Sequence, residues 1–312
     1  MAILAVILTF FDRYEKEPPL LVIGVFLWGL IVAAGAAIIL NTLFGISLYL
    51  VTGSSNAADV GAAVFSAPLV EETVKGLAVL VVFLFFRYEF DSVLDGVIYG
   101  SMVGFGFAAA ENINYIFMGY LQAGTQGLFT LVVFRVLLIP FLHATLTSFT
   151  GIGFAVGRLN SGFLRYAAPV LGYFTAIGAH FFHNLLASAP GGLCIIGSLI
   201  DWAGFIGMFI FILVLVWREG KIMREQLLEE VKLENLSQEQ YQAASSITGQ
   251  LKARWGALAG GHWREASRFY DLLGELAFKK YELARLGPQR EPEAQALIDR
   301  LRGQIAVLRG KA

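Results

Sequence analysis

Long apolar runs separated by short polar connectors make up the first two thirds of the chain. Six of these runs are long enough to cross about 30 Å of hydrocarbon as a helix, at residues 20–40, 57–86, 93–118, 127–157, 166–188 and 193–217. A further run at residues 1–11 is too short, and we interpret it as a shortened first helix or as the end of one that starts upstream. The pattern predicts an all-α bundle of about seven transmembrane spans, the first one short.

Among the connectors, only alternate ones contain lysine or arginine. They occupy residues 12–19, 87–92 and 158–165 and follow residue 217, whereas the uncharged loop at residues 41–56 and the turns at 119–126 and 189–192 contain neither. Positive charge favours the cytoplasmic side of a membrane. The alternation therefore predicts a multi-pass protein with a cytoplasmic C-terminus.

Charge density changes sharply near residue 217. Residues 1–217 contain 18 acidic and basic residues, and the shorter stretch 218–312 contains 29. We therefore expect a transmembrane domain at 1–217 and a cytoplasmic α-helical tail at 218–312. In this tail, Ser237 and Gln240 fit a capping box, and glycine-containing breaks at 260–261 and 287–288 separate helices. One apolar face is predicted for the tail, formed by Trp255, Trp263, Phe269, Tyr270, Leu272, Leu273, Leu276, Phe278 and Tyr281.

Composition excludes several classes of function. The chain is 57% hydrophobic and 15% charged, which does not fit a soluble domain. The net charge of −1 and the lack of a basic tract give no sign of nucleic-acid binding. A single cysteine, Cys194, excludes a disulfide within the chain and a multi-cysteine zinc site.

Ionisable side chains inside the apolar runs are the candidates for chemistry. An ionisable group at membrane depth is costly and usually lines a functional site or a water-filled cavity. Glu71, Glu72 and Lys75 lie in one run, and Glu71 and Lys75 are one helical turn apart. Taken alone, they are also consistent with a buried ion pair that fixes two helices.

The other runs add groups of the same kind, namely Glu111, Asn112, Arg135, His143, His180, His183 and Asn184. Helices of a bundle can bring such groups to one interior cavity. Carboxylate and imidazole suit a catalytic zinc, which keeps three protein ligands and one water, and a glutamate can activate that water. An asparagine can donate a hydrogen bond to a developing oxyanion. Arg135 is interpreted as a partner that neutralises a carboxylate.

Four motifs in this order on successive runs resemble the PrsW family of intramembrane proteases: Glu71-Glu72-x-x-Lys75, Phe107-x-x-x-Glu111-Asn112, His143-x-x-x-Thr147 and His180-x-x-x-Asn184. The resemblance covers about residues 1–217. It implies a bacterial inner-membrane enzyme, grouped with metalloproteases and distantly similar to CAAX prenyl proteases, that cuts a membrane-anchored protein. The best-known member cleaves an anti-sigma factor in stress signalling. The short first helix and the long tail depart from the family's pattern.

Under this resemblance Glu71 and Glu72 match the essential glutamate pair, one of which activates water, with a slight preference for Glu72. Lys75 would stabilise the pair, Asn112 would orient Glu111, and Asn184 would donate to the oxyanion. Glu111, His143 and His180 would hold zinc, or would position the water if no metal binds. Two alternatives stay open: an ion- or proton-coupled transporter that uses the same charges, and a non-catalytic receptor.

Overall fold

The computed structural model describes residues 1–311, which are mostly helical and contain no β-strand. The chain divides into two compact units, the first formed by Met1–Thr9, Pro18–Arg158 and Gly162–Phe211. Its helices are α1 (Ala2–Thr9), α2 (Pro19–Leu27), α3 (Ala34–Thr52), α4 (Ser55–Gly61), α5 (Ala67–Phe85), α6 (Val93–Val132), α7 (Leu142–Leu159), α8 (Phe163–Ser188) and the first part of α9 (Leu193–Lys232). The all-helical prediction is confirmed.

Among the described residues, three helical stretches are long and apolar enough to cross a membrane, at Pro19–Thr52, Val93–Leu159 and Leu193–Lys232. They include the predicted spans 20–40, 93–118, 127–157 and 193–217. Many large apolar side chains on these helices are exposed, among them Ile31, Phe129 and Leu199, as expected for surfaces that face lipid. The count of seven spans stays a prediction.

The predicted external loop at residues 41–56 is wrong, because α3 continues to Thr52. Hydroxyl groups within it bond to the backbone one turn back, as Ser47 does to the Leu43 carbonyl at 2.8 Å. This bond satisfies a polar group inside the helix. The connection shrinks to Gly53, whose φ is +67°, and Ser54, whose side chain accepts from the backbone N–H of Ala57 at 3.2 Å.

The stretch Val93–Leu159 folds back on itself rather than forming one rod. The backbone leaves helical geometry at Ala123 and Gly124, inside the predicted turn at 119–126, and the φ of +58° at Gly124 is one that glycine adopts readily. Before the turn, Gly100 lies so close to α7 that a Cβ atom there would be 2.6 Å from the Thr147 carbonyl oxygen. Glycines thus let α6 and α7 pack backbone to backbone.

A π-helical turn at Ala62–Ser66 precedes α5 and exposes a carbonyl near the candidate site. The Ala67 N–H bonds to the carbonyl of Ala62, five residues back. The next donor in this register would be residue 68, but Pro68 has no N–H. The Ala63 carbonyl is therefore available, and it accepts a hydrogen bond from Asn184 Nδ2 at 2.7 Å.

The second unit comprises Phe10–Glu17, Leu159–Ser161 and Ile212–Ala312. Its helices after α9 are α10 (Gln238–Ala244), α11 (Ile247–Ala259), α12 (Trp263–Leu286) and α13 (Ala294–Leu308). The capping box of Ser237 and Gln240 forms as predicted, and both glycine-containing breaks fall between helices. Glu230 on α9 accepts from Lys280 at 2.6 Å and from Arg302 at 2.8 Å, which ties α9 to α12 and α13.

The apolar face predicted for the tail forms only in part. Its buried members share α12 and are Phe269, Tyr270, Leu272, Leu273, Leu276 and Phe278. Trp255 and Trp263 were predicted to join them but are 68% and 46% exposed. They lie on either side of the break at Gly260 and Gly261, Trp255 in α11 and Trp263 at the first position of α12. The domain boundary at 217–218 stays a prediction.

Candidate active site

Four helices of the first unit bring the predicted polar residues into one cluster. Helix α5 contacts α3, α6 and α8 and contributes Glu71, Glu72 and Lys75. The side chains that meet them come from α6, α7 and α8 and are Glu111 and Asn112, His143 and Thr147, and His180 and Asn184. The i, i+4 spacing of His143 and Thr147, and of His180 and Asn184, places each of these two pairs on one face of its helix.

Glu72 has no exposed surface, and both of its carboxylate oxygens are engaged. Oε1 accepts from Lys75 Nζ at 2.5 Å and is 2.9 Å from His180 Nδ1. Oε2 accepts from the Thr147 hydroxyl at 3.1 Å. Partners from α5, α7 and α8 therefore compensate for the burial of this carboxylate.

Lys75 is also fully buried and lies between an acid and an imidazole. Its Nζ is 3.1 Å from His143 Nδ1 and 4.4 Å from the centroid of the Phe107 ring, a distance typical of a cation–π contact. An ammonium group can only donate hydrogen bonds, so His143 Nδ1 accepts. His143 Nε2 then carries the proton and donates to Glu111 Oε2 at 2.7 Å.

Glu111 is held from a second direction by Arg135. The guanidinium group of Arg135 pairs with Glu111 and also donates from Nε to Asn112 Oδ1 at 2.9 Å. Its Cζ lies 4.0 Å from the centroid of the Tyr115 ring. The interpretation of Arg135 as a neutralising partner thus agrees with these contacts, and Asn112 reaches Glu111 only through Arg135.

Glu71 and His180 present the unengaged atoms of the cluster. Glu71 Oε1 accepts from Asn41 Nδ2 at 3.4 Å, but its buried Oε2 has no hydrogen-bond partner among the described residues. His180 uses Nδ1 for Glu72, and its Nε2 lies 3.9 Å from Glu71 Oε2. Since a buried polar atom without a partner is costly, this pair of atoms is the place where a water or a metal ion fits best.

Glu71, His143 and His180 form a group that could hold a metal ion, with one ligand atom from each lying within 4.8 Å of the others. A glutamate and two histidines are a donor set that zinc accepts. The structure therefore includes His143 and His180 from the predicted ligand set but has Glu71 in the third position. Glu111 as a ligand stays a prediction, since its partners here are His143 and Arg135.

A cavity of about 210 Å³ opens onto this group. Glu71, Glu111, His143 and His180 line it together with His183 and Asn184. Asn184, the predicted oxyanion donor, uses Nδ2 for the Ala63 carbonyl, and an amide nitrogen has a second hydrogen to donate. The cavity can therefore hold a water next to carboxylate, imidazole and amide groups.

Two polar residues of this region were missed or misplaced by the sequence analysis. Asp201 on α9 lies 2.8 Å from His183 Nδ1 and was overlooked within its apolar run. Asn41 contacts Glu71 and accepts from Ser66 at 2.8 Å, although it was placed in a loop. An aspartate in the middle of a membrane-length run is a signal that could have been used.

An all-helical chain with membrane-length helices and a buried cluster of acids, imidazoles and a lysine belongs to the class of polytopic membrane proteins with an interior polar site. Residues 17–217, more than half of the chain, match the family described as PrsW family intramembrane metalloprotease. The chain therefore belongs to the PrsW family, and the resemblance found in the sequence is confirmed.

Two curated proteins, each named Protease PrsW, are similar to part of the chain. The one from Geobacillus kaustophilus is 35% identical over 105 residues, which cover 34% of this chain and 43% of the relative. The one from Clostridioides difficile is 37% identical over 106 residues, covering 34% of this chain and 42% of the relative. The chain thus matches less than half of the length of either relative. No solved structure gives a significant match.

Proposed function

We propose that this protein is an intramembrane protease that hydrolyses a peptide bond of a membrane-anchored protein. The observation that carries the proposal is the buried Glu71 Oε2, which has no partner among the described residues and lies 3.9 Å from His180 Nε2 on the wall of a cavity. The names of the family and of the two relatives support the same activity.

Glu71 is the better candidate for the base that activates water. A base must reach the water whose proton it takes, and Glu71 has an unengaged oxygen, whereas Glu72 is held by Lys75, His180 and Thr147. On these contacts we favour Glu71 as the base, whereas the sequence alone gave a slight preference to Glu72. Glu72 then fixes His180 through Nδ1 and leaves Nε2 free to face the water.

The remaining polar residues orient the catalytic side chains or stabilise charge in the site. Lys75 compensates the charge of Glu72 and orients His143, and Arg135, held by Asn112, orients Glu111. Asn184 lies on the cavity wall with one N–H left to donate to the oxygen of the attacked carbonyl. If zinc binds, Glu71, His143 and His180 would hold it, and His143 would give up one of its two hydrogen bonds, to Lys75 or to Glu111. Zinc would then lower the pKa of a bound water and polarise the carbonyl, and Glu71 would act as a ligand instead of as the base.

The proposal also covers the location of the protein and its substrate. We place it in a bacterial inner membrane with seven spans and a cytoplasmic C-terminus, because basic residues occur in alternate connectors. The substrate would be a membrane-embedded protein of the anti-sigma-factor kind, by analogy with the family.

The test compares new N-termini in membrane proteins of cells that express the wild type, Glu71→Gln, Glu72→Gln, or the matched control Glu225→Gln, which alters a side chain that is 56% exposed. Terminal-amine labelling and mass spectrometry should find cleavage sites with the wild type and the control but not with the two site variants. Cleavage that survives in the double variant Glu71→Gln/Glu72→Gln would contradict the proposal. Ion flux into liposomes that depends on Glu111 would instead favour the transporter.

A further inference from the structure

A second and larger cavity, of about 580 Å³, adjoins the candidate active site. Its wall includes Ala63, Ala67, Glu71 and Tyr115, which also line the smaller cavity. Because the two cavities share these four residues, a chain lying in the larger one would reach Glu71. The larger cavity extends from there along α3 and α4 toward the turn at Gly53 and Ser54.

The small side chains on one side of this cavity allow a peptide backbone to approach closely. Its residues on α4 and the following π-helical turn include Ala58, Ala62 and Ala63, and Gly45 faces them from α3. Small side chains of this kind leave room for main-chain atoms. Polar side chains, among them Asn41 and Ser55, supply hydrogen-bonding groups that an extended chain needs for its own amides.

The charged side chains that line the larger cavity are all acidic. Asp59 and Glu71 are the charged residues that line the larger cavity, and the Asp59 side chain makes no hydrogen bond or ion pair within the described part of the chain. The Asp59 side chain is exposed and lines the cavity, so its carboxylate is open to a ligand there. The ligand that such a carboxylate fits is a cation, which can form a charge-assisted hydrogen bond with it.

We propose that this cavity receives the substrate chain next to the cleaved bond, and that Asp59 selects a lysine or arginine of the substrate about five residues from that bond. The inference rests on the proposed protease activity and adds the substrate feature that is recognised. The spacing comes from the backbone between Asp59 and Glu71, which stays helical through the π-helical turn. Twelve residues at about 1.5 Å each give roughly 18 Å, the length of about five residues of extended chain.

The test uses peptides built around a bond identified by the terminal-amine comparison. Lysine, glutamine or glutamate is placed in turn at the third to the seventh residue on each side of the bond, and kcat/KM is measured in detergent micelles. For the wild type we expect lysine to exceed glutamate by about three- to fivefold near the fifth position on one side, the size of effect of a partly exposed ion pair. The ratio should be near one at positions far from it.

Variants of Asp59 make the test specific. Asp59→Lys should reverse the lysine-to-glutamate ratio, Asp59→Asn should bring it near one, and Asp59→Glu should retain it. A ratio within one enzyme preparation does not depend on the folded fraction, so a poorly folding variant still gives a result. A photo-crosslinking amino acid at Ile46 or Tyr49, both on the cavity wall, should capture the peptide in a Glu71→Gln background.

The outcomes separate the two proposals. Equal cleavage of all peptides by the wild type, an unchanged ratio in Asp59→Lys, or no crosslink at either position would overturn the inference about Asp59 and leave the protease activity standing. If the wild type cleaves no protein bond at all, the proposed function fails, and the inference about its substrate fails with it.

Discussion

At the scale of single residues, the two adjacent glutamates have different surroundings and should respond differently to the same substitution. Glu72→Gln removes the charge that compensates the fully buried Lys75, and breaking a buried ion pair from one side costs about 3–5 kcal/mol. Glu71→Gln alters a carboxylate whose Oε2 makes no hydrogen bond and lies 4.0 Å from Lys75 Nζ, too far for one. We expect it to lower the free energy of unfolding by less than about 1 kcal/mol.

Thermal unfolding in detergent, followed by tryptophan fluorescence, measures this difference. Glu71→Gln should unfold at nearly the wild-type temperature yet lose about 100-fold or more of its activity, as expected when a general base is removed. Glu72→Gln should unfold at a clearly lower temperature. Equal stability of the two variants would mean that the contacts of Glu72 do not stabilise the fold as the distances suggest.

The pair formed by His183 and Asp201 gives a second residue-scale prediction. The two side chains are largely buried and joined at 2.8 Å, so that Asp201→Ala leaves the imidazole without its acceptor. We expect a loss of about 1–3 kcal/mol in the free energy of unfolding. In the double variant Asp201→Ala/His183→Ala the losses should not add, and a double-mutant cycle measures the coupling. Fully additive losses would show that the contact contributes nothing.

The sequence predicts which residue types gather but not which atoms pair. Ionisable groups are rare in apolar runs, which predicts that Glu72, Lys75, His143 and His180 gather, and they do meet. The helical period cannot show that Glu71 would be left with an unengaged oxygen, since that depends on how α5 is rotated against α7 and α8. The hydropathy of residues 193–217 does not indicate a polar site, because the single charge of Asp201 hardly changes the mean of the run.

At the scale of helices, the hydropathy pattern predicted most of the helices correctly. It was wrong where a polar segment is nevertheless helical. Residues 41–52 contain Asn, Gly, Ser and Thr, which favour turns, yet they extend α3 because the hydroxyls of Ser47 and Thr52 bond to carbonyls of the same helix. The turn at Ala123 and Gly124 was predictable, since glycine follows a run already long enough to span. The π-helical turn before Pro68 has no clear sequence signal beyond the proline itself.

Helices α6 and α7 approach each other closely at glycine residues, and one of these, Gly104, gives a prediction at the scale of helices. A Cβ atom at Gly104 would overlap the carbonyl oxygen of His143, so Gly104→Ala should push α7 away and displace His143 from Lys75 and Glu111. We expect a loss of about 1–3 kcal/mol in stability together with lower activity. Thermal unfolding and the peptide cleavage assay measure the two effects.

Gly178→Ala is the matched control, because a Cβ atom at Gly178 in α8 meets no heavy atom within 4 Å. Alanine favours a helix over glycine by up to about 1 kcal/mol, so this variant should be as stable as the wild type or slightly more stable. If Gly104→Ala behaved like Gly178→Ala, the close approach of α6 and α7 would not limit the size of the side chain there.

At the scale of the whole molecule, the orientation in the membrane can be tested with the chain's own cysteine. Cys194 is exposed and follows the turn at residues 189–192, which lacks lysine and arginine. If connectors rich in basic residues lie in the cytoplasm, this turn lies on the opposite side. A membrane-impermeant maleimide added to intact spheroplasts should therefore label Cys194, and Cys194→Ser should remove the signal.

A second probe decides between a reversed orientation and a leaky membrane. Ser161→Cys in the Cys194→Ser background places the only thiol between α7 and α8, in the connector that contains Arg158 and Arg165. The proposed orientation requires this thiol to react only after the membrane is permeabilised. The opposite pattern at both probes would place the tail outside the cytoplasm. Because the two connectors are joined by α8 alone, labelling on opposite sides also requires this helix, which carries His180 and Asn184, to cross the bilayer.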